Sequence, residues 1–169
     1  IMWTEYDSLT GLMSFSRFHA EAERLILGDY ASSHLMVYSD IVGFKYFNRK
    51  YGYKAGDQLL KEFGNFYMEK LENREKIIFS RVISDQFLLL IPDEKERDII
   101  KKIDELNKKF GRIQSEKFQG SRIRIRTGIY KIEPSCTGAS AAMDAANYAR
   151  KQIAGNSAIS VRVYDEELR

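Results

Sequence analysis

The stretch RVISDQFLLLIP (81–92) joins two apolar runs, KIIFSRV (76–82) and FLLLIP (87–92), across a short polar break. Runs of this length, rich in Ile, Leu, Val and Phe and bounded by turn residues, read as buried strands. So short a break between them makes a hairpin. A hairpin is marginal in water on its own, so the rest of the chain must supply what buries it.

It does so by alternating helix and strand. SFSRFHAEAERLIL (14–27) places Phe15, Phe18, Ala22 and Leu25 at helical spacing behind Ser14, a good N-cap. HLMVYSD (34–40) is a short apolar run ending in a carboxylate, a buried strand. A short helix over 44–52 ends at Gly52, and a strongly amphipathic one follows over 57–71. Residues 94–110 form another amphipathic helix, and 121–132 alternate as a strand with Ile123, Ile125 and Thr127 on one face. An Ala-rich helix over 138–153 and a last strand over 159–165 complete the pattern, and Pro92 and Pro134 fall at element ends. The expectation is one α/β domain with a central sheet of about five strands and helices packed on it.

With 169 residues the chain is long enough for one sizeable core. Lys and Arg number 27 against 24 Asp and Glu, a balance too even to imply a nucleic-acid or membrane partner. No apolar run reaches the length of a membrane span, and no signal-peptide pattern opens the chain. One cysteine, Cys136, suits a reducing, cytoplasmic compartment. With only two histidines, chemistry would fall to carboxylates, lysines and backbone.

YSDIVGFKYFN (38–48) places Asp40 at the end of a buried strand, before a Gly43 turn and a helix start. Ligands of open α/β sheets gather at such strand ends, and a helix start offers N–H groups to phosphate. Asp40 and the hairpin-tip Asp85 are then candidates to hold Mg²⁺ against a triphosphate. The plain alternative is that Asp40 caps a helix or turn and that Asn48 and Asp57 cap or solvate helices. Arg122, Arg124 and Arg126 alternate in RIRIR, either as a basic stripe for a polyanion or as an exposed strand face that discourages edge pairing.

Three segments together resemble the GGDEF (diguanylate cyclase) domain family. DSLTGL (7–12) matches an early D-x-L-T-G-L signature, DIVGFKYFNRKYGYKAGDQLL (40–60) a central block, and DAANYARKQIAGN (144–156) a late one. The resemblance implies a palm-like nucleotidyl-cyclase sheet over 7–169 with the family signature on the hairpin. It makes residues 1–6, with Trp3, the end of a linker from an upstream sensory domain, in a larger sensory or membrane-anchored bacterial protein. It implies a reaction in which two domains each present a GTP and form cyclic dimeric GMP, with Mg²⁺ or Mn²⁺ as cofactor and a homodimer as the working state.

Carried over by residue, the resemblance makes Asp40, the Ile41 carbonyl and Asp85 metal ligands. Gly43, Phe44 and Lys45 become the phosphate loop, Asn48 and Asp57 the guanine readers, and Lys151 a phosphate lysine. Val42 stands where a second Asp is expected and Gly155 where an arginine is. The signature itself reads Ile83, Ser84, Asp85, Gln86, Phe87: both glycines are gone and the following Glu is an amide. A β-branched Ile83 is the worst substitute wherever φ > 0 is needed, and Gln86 cannot act as a base. Upstream, Arg74 matches the arginine of an Arg-x-x-Asp product-inhibition site, but Ile77 replaces its aspartate, so that site is expected to be non-functional. The expected function is a catalytically inactive module that binds GTP as a regulatory ligand. The alternatives are an active cyclase and a protein-contact scaffold.

Overall fold

The computed structural model describes residues 5–28, 34–71, 74–93 and 96–166. Five strands form one sheet in the order β2-β3-β1-β4-β5. Strand β1 (His34–Val42) is central, antiparallel to β3 (Gln86–Pro92) and to β4 (Arg124–Lys131). Strand β2 (Ile78–Ile83) pairs antiparallel with β3, and β5 (Val161–Val163) runs parallel to β4.

Alternate residues of β1 face two different cores. Leu35, Val37 and Ile41 pack with Phe63, Tyr67, Ile103, Leu106 and Phe110 of α3 (Tyr53–Lys70) and α4 (Glu96–Lys117). Met36 and Tyr38 pack with Phe18, Ala22, Ala142 and Ala146 of α1 (Phe15–Leu27) and α5 (Ala139–Lys151). Burial on both faces is why these strands read as continuous apolar runs rather than as alternation. Helix α5 approaches β4 closely because position 128 is glycine: a Cβ there would run into the Ala146 carbonyl and the Arg150 amide. That approach fixes where the last turn of α5 lies over the sheet.

The helix over 57–71 begins earlier than expected, at Tyr53, immediately after the short helix α2 (Phe44–Tyr51) and the Gly52 turn at φ 92°. Asp57 therefore lies inside α3 and caps nothing. Gly56, just before the expected start, is needed inside the helix, because a Cβ there would occupy the place of the Asn48 side chain. Helix α4 runs past Phe110 to Lys117, with Gly111 giving room beside the Ile123 carbonyl.

The early DSLTGL segment is a compact turn. Asp7 accepts from the Thr10 amide at 2.8 Å and the Thr10 hydroxyl at 2.7 Å, and Arg81 on β2 reaches its carboxylate at 3.3 Å. Of the expected linker, residues 1–4, including Trp3, lie outside the described residues. Tyr6 pairs with Met13 and carries the Arg17 guanidinium over its ring.

Candidate functional site

The antiparallel register sets Asp40 opposite Gln86 on one side and opposite Arg126 on the other. The hairpin tip is a two-residue turn, Ser84–Asp85, closed by the Ile83–Gln86 pair. Asp85 thus comes to the end of β1, where its Oδ2 accepts from the Ile41 amide at 3.1 Å. Burial pushes the Asp85 carboxyl up, against the Ile41 N–H that favours its ionised form, and the nearby Asp40 charge pushes it further. The positive φ expected at the glycine positions falls on Ser84 (φ 50°) and not on Ile83, a residue 68% exposed that continues the strand.

Asp40 itself is 7% exposed and is held by two arginines. Arg126 bonds it side-on, with Nε 2.8 Å from Oδ1 and Nη2 3.0 Å from Oδ2. The Arg126 Nη1 also donates to the Ile153 carbonyl at 2.9 Å. Arg150, 4% exposed, donates to Asp40 Oδ2, places Nε and Nη2 on Asn147 Oδ1 and lies 5.0 Å from the centre of the Tyr38 ring. The Tyr38 hydroxyl in turn donates to Gln86 Oε1 at 2.8 Å. Hydrogen bonding to Asp40 raises Arg126 above its ordinary value, so its charge is fixed.

This disposition divides the arginine stripe. Arg126 is bonded to Asp40 and is no free charge, whereas Arg122 and Arg124 are exposed as a solvent-facing strand edge requires, Arg124 donating to the Ser157 carbonyl at 2.7 Å. Arg150 is the residue that sequence reasoning missed. It follows Ala139, Ala142 and Ala146 on the buried side of α5, and a charge at the end of an alanine face calls for a counter-charge beneath it.

A divalent cation fits these residues poorly. Both oxygens of Asp40 are engaged by guanidinium, and Asp85 Oδ2 is engaged by backbone. Two carboxylates and two guanidiniums already sum to no formal charge, so a dication would face the arginines uncompensated. Among the described residues no three His, Cys, Asp or Glu side chains converge as metal ligands.

The residues matched to nucleotide binding lie outside this cluster. Gly43, at φ 84°, turns the chain from β1 into α2, and Lys45 on the first turn is exposed while Phe44 is buried. Asn48 folds over Gly56, beside Asp57 in the chain; its Oδ1 is buried without a partner, and Asp57 is exposed. Lys151, the last residue of α5, is exposed. Arg74 lies in a short 3-10 turn (Arg74–Lys76), and Ile77, at the position of the missing aspartate, is buried. A cavity of about 510 Å³ lies between α4, the start of β4 and residues 153–160, with Arg126 in its wall, and none of the residues matched to nucleotide binding lines it.

Residues 4–157 match the family described as diguanylate cyclase, GGDEF domain. Over 97 residues, 54% of this chain and 12% of the relative, the sequence is 34% identical to the biofilm architecture maintenance protein MbaA of Vibrio cholerae. A similar stretch of 97 residues, 53% of this chain and 30% of the relative, is 30% identical to the diguanylate cyclase DgcS of Shewanella oneidensis. The matched region thus spans less than a third of these relatives. The fold matches that of the GGDEF domain of DgcB from Caulobacter crescentus, solved in complex with c-di-GMP. The TM-score is 0.79 and the identity 18%, over 94% of this chain and 95% of that one.

Proposed function

The chain belongs to the GGDEF domain family, and from that premise we propose that it is a signalling module with silenced cyclase chemistry that takes up a guanine nucleotide as a regulatory ligand. The observation that carries the silencing is the double hold of Arg126 and Arg150 on Asp40. A carboxylate so engaged meets a metal–triphosphate complex with its charge already compensated by two guanidiniums. Gln86, bonded to the Tyr38 hydroxyl, has no carboxylate with which to take a proton.

Nucleotide uptake is supported by what the cluster leaves untouched. An exposed Asp57 beside Asn48, on the corner between α2 and α3, offers a carboxylate to a base edge with adjacent N–H donors. Guanine has such an edge; adenine presents an acceptor beside its donor. Gly43 and Lys45 are exposed at the start of α2, where a helix offers N–H groups to phosphate, and Lys151 adds a second exposed cation.

Calorimetric titration with GTP, and with ATP as control, tests this reading. Heat with GTP that disappears in Asp57→Ala, with ATP silent, is the expected result. Silence toward both nucleotides overturns it and leaves protein contacts as the function.

A further inference from the structure

We propose that Arg126 and Arg150 form a built-in cation that takes the place of a divalent ion between Asp40 and Asp85, so that this chain excludes metal from its sheet end. The inference rests on the geometry of the cluster and not on the nucleotide reading, so either can fail without the other.

Asp40 lies 7% exposed at the end of the central strand, where its carboxylate must be compensated. Arg126, from the neighbouring strand, supplies a flat two-point contact, and Arg150, from the helix above, adds a second donor to Oδ2. Each guanidinium is fixed by partners other than Asp40. The Ile153 carbonyl anchors Arg126, while the Asn147 side chain and the Tyr38 ring anchor Arg150. Two anchored, permanently charged groups supply the positive charge that a dication would, with the donors aimed at the same oxygens. Gly128 is part of the arrangement, because the close approach of α5 to β4 brings Arg150 within reach of Asp40.

The consequence concerns ligand class. A nucleotide accommodated beside this cluster is taken as the free polyphosphate and not as its metal complex. The arginines rather than the hairpin glycines are what bar the metal.

The test uses Mn²⁺ alone, followed by the loss of its free electron-paramagnetic-resonance signal on titration with protein. Wild type is expected to leave the signal unchanged. In Arg126→Ser/Arg150→Ala, two positive charges bonded to Asp40 are gone, and for a charge separation of about 5 Å Mn²⁺ binding is expected to tighten on the order of a hundredfold, even at the dielectric of water. Should the double variant fail to give a cooperative urea transition, Arg126→Gln alone, at a partly exposed position, is expected to gain about tenfold. Mn²⁺ binding by wild type that is lost in Asp85→Asn overturns the proposal. A folded double variant as silent as wild type overturns it too.

Discussion

The Arg126 guanidinium lies side-on to the Asp40 carboxylate, with Nε 2.8 Å from Oδ1 and Nη2 3.0 Å from Oδ2, one strand across the sheet. Together with Arg150 on the same carboxylate, it turns a position that the family resemblance assigns to a metal into an ion cluster of the protein's own. Removing the single negative charge at its centre leaves two guanidiniums facing each other in a largely buried place. Asp40→Asn is therefore expected to cost about 3–5 kcal/mol in urea unfolding. A loss no larger than the roughly 1 kcal/mol of an exposed pair would mean that the arginines find other partners.

Repairing the hairpin should not restore synthesis. In Ile83→Gly/Ser84→Gly/Gln86→Glu the tip regains its glycines and its second carboxylate, while Asp40 stays bonded to Arg126 and Arg150. Incubation of that variant with GTP and Mg²⁺ or Mn²⁺, followed by chromatography, is expected to yield no cyclic dimeric GMP. Product from the repaired hairpin alone would place the defect at the tip.

A second polar cluster is structural. Asn107 on α4 accepts from the buried Tyr67 hydroxyl and donates to Thr127 Oγ1 at 3.0 Å and Ser160 Oγ at 3.3 Å, while Thr127 pairs with Ser39 at 2.6 Å. Burial holds the Tyr67 phenol well above its ordinary value, so it stays neutral and must donate. Asn107→Leu orphans that hydroxyl at an expected cost of about 1–3 kcal/mol. Adding Tyr67→Phe should recover part of the loss, a coupling of roughly 0.5–3 kcal/mol in a double-mutant cycle by urea unfolding. Additive losses would show that the hydroxyl finds another acceptor.

Much of this protein was legible in its sequence, for reasons that are local. The hairpin and the helix capped by Ser14 follow from periodicity and turn chemistry, each set within a few residues. The Asp40–Asp85 approach could also be expected, because the tip of a hairpin beside β1 must reach its end. Boundaries failed where a glycine served packing instead of termination: inside α3 the Asn48 side chain occupies the space of a Cβ at Gly56, and inside α4 a Cβ at Gly111 would press on the Ile123 carbonyl.

What only the tertiary structure decided is who neutralises Asp40. Arg126 lies 86 residues away in sequence and Arg150 110 residues away. In the linear chain the first belongs to an alternating stripe and the second precedes a lysine in an alanine-rich helix. Strand register brings one to the carboxylate, and the close packing of α5 over Gly128 brings the other. The sequence determined which elements form. The fate of its central carboxylate was left to long-range contacts, because a buried charge is compensated by whatever opposite charge the fold carries to it.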